Sequence, residues 1–485
     1  MQWLAGAVIV IVSLVMLFVI NNAGLSAPED DAVSFKKLII KKFDANHDGD
    51  LVGAEKDRAV KFLQKNDSNG DSRISEEEQD EAIGELKQMP DPKTVPVPKQ
   101  KPDPGEDSPR AIELQRKIDE WFPQALKKYP RLQVQYKSVP DDQNGFLKII
   151  EWEEEFEEEL DWDEISSGLD ELLETEERNG SALQEKLREV EAYLKTKDVL
   201  LERAMGIGLM PEQSVKGIPD KRSIIVSFEP IEFARYIIAH LRLKATLEVG
   251  LGDTAAVMQT LTAMRGWGHH YSGIETPNLM VSVLSIAIQK TQQDLAYLLV
   301  LPNLPEKEID YKQWAKLLEY QYDPQQQWSR MIRGEWHDAV KALMPQVLPH
   351  ENLRDPIAFL NAYTSFMNDL ADPAKIVQPE WNFLPPPKHL TSNSRETYET
   401  LHLDIPGIGE GYRRAITIQR QYEVAITLRR LEAEGQNLSS LKEATIELLP
   451  LQVFSDIRLS VDFDKRLIFA PKGKGIISDI EPVAF

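Results

Sequence analysis

Asp44, Asn46, Asp48, Asp50 and Glu55 fall within the twelve residues DANHDGDLVGAE and place oxygen-bearing side chains at close, mostly alternating intervals. Oxygens so spaced suit a hard divalent cation, which gathers six to eight such ligands. A second set starts twenty-three residues later in DSNGDSRISEEE, with Asp67, Asn69, Asp71 and Glu78. Gly49 suits a left-handed turn in the first stretch. Ser72 stands at the matching position of the second, where that conformation costs about 1 kcal/mol. The second site is therefore expected to be the weaker.

Both stretches resemble the calcium loop of the EF-hand superfamily. The resemblance covers about residues 34–88 and implies two Ca2+ sites. It gives side-chain ligands at loop positions 1, 3 and 5 (Asp44, Asn46, Asp48; Asp67, Asn69, Asp71) and carbonyl ligands at position 7 (Asp50, Arg73). Glu55 and Glu78 would close the two spheres bidentately. Residues 54–65 leave room for a single helix between the loops. Val60, Phe62 and Leu63 supply its apolar side, facing Phe35, Leu38, Ile39 and Phe43 on the entering helix. This arrangement resembles the short tandem EF-hands of bacterial proteins.

The elements around these loops follow from composition. A chain of 485 residues accommodates two or three domains. Its 56 basic and 79 acidic residues give a net charge of -23, which disfavours nucleic acid as a partner and favours cations. Fifteen carboxylates and no Lys or Arg occupy residues 151–177, a run read as a solvated helix face. With no cysteine, disulfides and thiolate chemistry are excluded. Residues 3–20 are uncharged and long enough to cross a bilayer. A single-pass membrane protein is expected, anchored in the membrane through this N-terminal helix, with its large soluble part extracytoplasmic.

The expected fold class is mainly α. It comprises a transmembrane anchor at residues 1–22, an EF-hand pair at 32–88, a proline-rich linker at 89–109, a large helical domain at 110–450, and a C-terminal β-hairpin and tail at 451–485. Seven prolines in residues 89–109 favour an extended spacer. Helical spacing dominates from residue 110, and stacked hairpins in the manner of a solenoid fit it, although no repeat period is evident. Gly250, Gly252 and Asp253 predict a turn between two helices, with Asp253 capping the second. Alternation in residues 457–462 and 466–470 predicts a hairpin. Residues 141–474 also resemble, diffusely, membrane-anchored bacterial helical proteins, a likeness that implies no activity.

Other motifs fail on their chemistry. Gly250-x-Gly252-x-x-Ala255 follows a helix rather than a strand, and Asp253 would repel phosphate. His350-Glu351 is followed by Arg354 where a zinc-protease helix needs its second histidine. Ile405-Pro406-Gly407-Ile408-Gly409 resembles a DNA-binding helical hairpin, but Arg413 occupies the small-residue position. His269-His270 has no evident third ligand. The functional expectation is a membrane-anchored calcium-binding protein whose helical domain engages a protein partner. The alternatives are a calcium-dependent envelope hydrolase and a structural envelope protein with a calcium-stiffened stalk.

Overall fold

The computed structural model of the chain describes residues 109–156, 173, 181–216, 229–319, 322–348, 355–377, 405–438, 449–454, 456–471 and 480–485. Toward the N-terminus it describes residues 39, 42–43, 58–59, 61–62, 65–66, 82–86 and 89. The chain divides into two compact units, Met1–Ile112 and Glu113–Phe485.

In the first unit Phe43, Ala59, Phe62, Ala82 and Leu86 are buried together, with Ile39 and Met89 packed against them. The Phe43 and Phe62 rings lie 5.5 Å apart. Lys42 Nζ donates to the Met89 carbonyl at 2.7 Å. Glu85 is the one carboxylate among the described residues of this unit. It pairs with Lys65 and accepts from Asn66 Nδ2 at 3.3 Å, and these donors hold its pKa below the ordinary value.

The second unit is helical. Its elements are α1 (Pro109–Lys128, whose first residues lie before the unit boundary), α2 (Gly145–Glu155), α3 (Ser181–Thr196), α4 (Asp198–Gly208), α5 (Glu229–Gly250), α6 (Thr254–Ser272), α7 (Leu279–Asp294), α8 (Tyr311–Leu318), α9 (Pro324–Asp338), α10 (Pro356–Leu370) and α11 (Ile405–Ala433). Short polar side chains start many of them. Asp253, Asn278, Asp323 and Asp355 each accept from a backbone N–H three residues on, at 3.0, 2.8, 2.8 and 3.0 Å. Pro324 and Pro356 follow two of these caps at the first helical position, where a missing N–H costs nothing. Gly252, at φ 73°, makes the turn between α5 and α6.

Helix α6 is the hub, packed against α4, α5 and α7. Trp267, Trp314, Trp328 and Trp336 are all but inaccessible. Trp152 meets Phe233 and Trp267 edge-on, with centroids 5.2 and 6.1 Å apart. The crossing of α4 and α6 is tighter than side chains permit. A Cβ on Gly266 would sit 2.7 Å from the Gly208 carbonyl carbon, and one on Gly208 would sit 2.9 Å from Ala263 Cα. Trp267 Nε1 spans the same crossing, donating to the Ala204 carbonyl at 2.9 Å.

Near the C-terminus, β1 (Gln452–Phe454) pairs with β2 (Ile457–Arg458), and β3 (Ser460–Asp462), β4 (Leu467–Phe469) and β5 (Val483–Ala484) form a second antiparallel sheet. The β3–β4 hairpin pairs Asp462 with Leu467 across a turn in which Arg466 takes φ 55°.

The expected fold class requires correction at its N-terminal part. Among the described residues no helix is long and apolar enough to cross a membrane. The longest show why. Helix α5, with 22 residues, carries Glu232, Arg235, Arg242, Lys244 and Glu248, and α11, with 29, carries Glu410, Arg413, Arg414, Arg420 and Glu423. That finding corrects the single-pass topology and the extracytoplasmic placement; residues 3–20, which prompted both, lie outside the described residues. The EF-hand pair is likewise corrected, because no metal-holding group exists among the described residues. The described part of that unit contributes an apolar cluster and an already paired Glu85.

Candidate functional site

The polar residues of the second unit concentrate where the end of α6, the segment 273–278, the start of α7 and α9 meet. Glu275 is 6% exposed and accepts three donors: Lys137 N–H at 2.7 Å, Ser214 Oγ–H at 2.8 Å and Val215 N–H at 3.0 Å. Ser214 is fixed in turn by Asn144, which accepts from Ser214 N–H at 3.0 Å and donates to the Ser214 carbonyl at 2.9 Å. Arg330 on α9 reaches the Gly273 carbonyl at 2.8 Å and also the Ile274 carbonyl. One carboxylate and one guanidinium thus tie three separated stretches of chain to the same short segment.

Three residues further along α9 from one to the other, Glu335 and Asp338 face the start of α7. Glu335 Oε2 accepts from Leu279 N–H at 3.1 Å, and Asp338 Oδ2 accepts from Asn278 Nδ2 at 2.6 Å. Burial pushes Glu335 up to about 7, against a smaller lowering by the Leu279 amide, and the charge of Asp338 adds to the rise. Burial pushes Asp338 up to about 6, offset in part by Asn278. Gly334 lets α9 approach this closely, since a Cβ there would lie 2.5 Å from the Pro277 carbonyl carbon.

Ser272, Ser285, Gln289, Gln327 and Tyr412 line a cavity of about 10 Å3, room for roughly one water. Ser285 Oγ donates to the Gly268 carbonyl at 2.7 Å, and Gln327 Nε2 donates to the Ser272 carbonyl at 3.1 Å. A small-molecule site encloses roughly 300 Å3 or more, so this cavity takes no substrate of that size.

His269 and His270 lie on the last turns of α6. Burial lowers His269 to about 3, with Arg265 and His270 adding to the shift, and lowers His270 to about 4. Both rings are neutral at pH 7. His270 Nε2 donates to the Ile207 carbonyl at 2.8 Å, and its ring fills the space a side chain at Gly145 would need. Ile405 to Gly409 form the first turns of α11 rather than a DNA-binding hairpin. Arg413 is buried against Asp456 and the Phe454 ring. His350 and Arg354 lie outside the described residues.

So do all ten expected ligands, Asp44, Asn46, Asp48, Asp50, Glu55, Asp67, Asn69, Asp71, Arg73 and Glu78. Among the described residues no group of three or more His, Cys, Asp or Glu could hold a metal ion. No family model matches the chain, and neither a curated protein nor a solved structure is similar enough to count as a match. The resemblances to the EF-hand superfamily and to membrane-anchored bacterial helical proteins are corrected accordingly, as are the two Ca2+ sites and the calcium and membrane partners. The calcium-dependent hydrolase, the calcium-stiffened stalk and the protein-engaging helical domain lose their support with them.

Glu275, Asn278, Glu335 and Asp338 escaped the sequence reading. A signal exists in α9: Glu335 and Asp338 are three apart, one turn of the same face, beside Ile332 and Trp336 of the buried stripe.

Proposed function

We propose that residues 113–485 serve as a structural helical module, whose polar interior fixes helix positions rather than performing turnover. The observation that carries this reading is Glu275, a carboxylate with its three donors drawn from residues 137, 214 and 215. With three donors in place, most of the carboxylate's acceptor positions are taken up by the fold itself. Arg265 is spent similarly, donating to the carbonyls of Lys316 and Glu319 at 2.6 and 2.9 Å and so closing the end of α8.

Screening the full chain with a small-molecule fragment set by thermal shift and ligand-observed NMR tests this. The expected result is no ligand whose saturable binding is abolished by Glu275→Gln or Glu335→Gln. A ligand bound stoichiometrically and lost in either variant would overturn the structural reading.

Two readings from sequence stand beside it as proposals. The residues 89–109 act as a spacer, so limited proteolysis is expected to cut there first. The spacing of Asp44, Asn46, Asp48, Asp50 and Glu55, and of Asp67, Asn69, Asp71, Arg73 and Glu78, suits them as oxygen donors. Titrating a divalent cation into the full chain and into Glu55→Gln and Glu78→Gln variants tests that reading, and identical heats would refute it.

A further inference from the structure

One face of α7 is polar although it is buried. Ser282, Ser285, Gln289 and Gln293 recur along it at the spacing of a single helical face, and none of the four is more than 7% exposed. Three of them donate to protein acceptors. Ser285 Oγ donates to the Gly268 carbonyl at 2.7 Å, Gln289 Nε2 to Ser285 Oγ at 3.1 Å, and Gln293 Nε2 to the Leu318 carbonyl at 3.2 Å. Ser282 differs. It is 2% exposed, and its hydroxyl has no hydrogen-bond partner among the described residues.

A buried hydroxyl left unmet is costly, and a serine within a helix commonly avoids that cost by turning onto the carbonyl four residues back. At Ser282 that carbonyl belongs to Asn278 and accepts the Ser282 N–H at 3.0 Å, while the hydroxyl does not engage it. The Ser282 side chain instead borders the cavity of about 10 Å3 lined from α6, α7, α9 and α11. Free space on this scale is close to the least that holds a single water molecule.

We infer that this cavity is the binding site of one internal water molecule, anchored by the Ser282 hydroxyl and joining α7 to α9.

The remaining partners are on the cavity wall. A bound water typically makes about three hydrogen bonds. Ser285 Oγ gives its proton to Gly268 and accepts one from Gln289, which leaves it one lone pair. Gln327 Oε1 on α9 accepts from Arg330 at 3.2 Å and likewise keeps one. With Ser282 these make three. A cation of the same size is disfavoured, because no carboxylate lines the cavity and the Arg330 guanidinium already meets Gln327. The site stands apart from the reading of Glu275, whose donors come from residues 137, 214 and 215, outside the cavity wall.

The test counts long-lived waters in the full chain by oxygen-17 magnetic relaxation dispersion, a signal that exchanging hydroxyl protons do not enter. Ser282→Val puts a methyl in place of the hydroxyl and adds a second, removing the anchor and narrowing the cavity. The parent is expected to hold one more long-lived water per chain than the variant. Equal counts would overturn the site. A high-resolution crystal structure of the parent gives an answer even if the variant misfolds. A single water oxygen within about 3.2 Å of Ser282 Oγ and of a second side-chain oxygen supports the proposal. A Ser282 hydroxyl turned onto the Asn278 carbonyl beside an empty cavity overturns it, as does a metal ion ringed by the same oxygens.

Discussion

Replacing Gly266 with alanine probes the tightest contact in the helical unit. The new Cβ would overlap the Gly208 carbonyl group, with the carbonyl carbon only 2.7 Å away and the oxygen nearer. Ordinary carbon contacts lie near 3.5 to 4.0 Å, so α4 and α6 must separate by roughly 1 Å or more. Neither partner can rotate aside, because the obstacle is backbone. Overpacking of this kind costs about 1 to 3 kcal/mol. Separation also stretches the Trp267–Ala204 and His270–Ile207 hydrogen bonds, now 2.9 and 2.8 Å, each worth about 1 kcal/mol. Against this, alanine gains about 1 kcal/mol in helix propensity. The net loss is then about 1 to 4 kcal/mol. For the residues Glu113–Phe485, with an unfolding entropy near 2.1 cal/mol/K per residue, that lowers Tm by about 1 to 5 °C. Gly206→Ala on α4 is the control: nothing lies within 4 Å of its added Cβ, and it should stabilise the chain by up to about 1 kcal/mol. Thermal and urea unfolding of the two variants should move in opposite directions. Equal or greater stability of Gly266→Ala would refute the close-crossing argument.

His270, neutral in the fold at about 4 against an ordinary 6.5, supports stability that is complete above about pH 6.5 and fades toward pH 4. Urea unfolding at pH 7 and pH 4.5 should therefore show a smaller acid loss in His270→Gln than in the parent. Arg466 holds φ 55°, pairs bidentately with Glu432 at 2.7 and 2.8 Å, and donates from Nε to the Phe485 carbonyl at 2.7 Å. Arg466→Ala keeps the backbone strain and loses the contacts, whereas Arg466→Gly loses the contacts alone. Calorimetry should place the alanine variant about 1 kcal/mol below the glycine variant, and the reverse order would remove the strain argument.

Local punctuation was the most legible part of the fold. Gly252 and Asp253 announced a helix end and a helix start through two independent chemistries, positive φ and a side-chain cap, and both occur there. Alternation around 463–465 reflects the period of a strand with one buried face, and β3 and β4 pair across it. The junction was hidden because its members are scattered in sequence. Nothing local marks Glu275 as the acceptor for residues 137, 214 and 215. Glu335 and Asp338 look like surface acids until α7 is placed against α9. The loop carboxylates lie outside the described residues; their spacing is a local pattern, whereas the chemistry the described structure displays is assembled from long-range contacts.

The structural role of the junction is tested most directly by removing the carboxylate at its centre. Glu275→Ala deprives Lys137 N–H, Ser214 Oγ and Val215 N–H of their acceptor at a site 6% exposed. Leaving buried donors unmet costs about 1 to 3 kcal/mol for each group. Urea unfolding with hydrogen exchange should show lower stability, with residues 137 and 215 and the start of α7 losing protection together. Unchanged stability with protection intact in those segments would contradict the account.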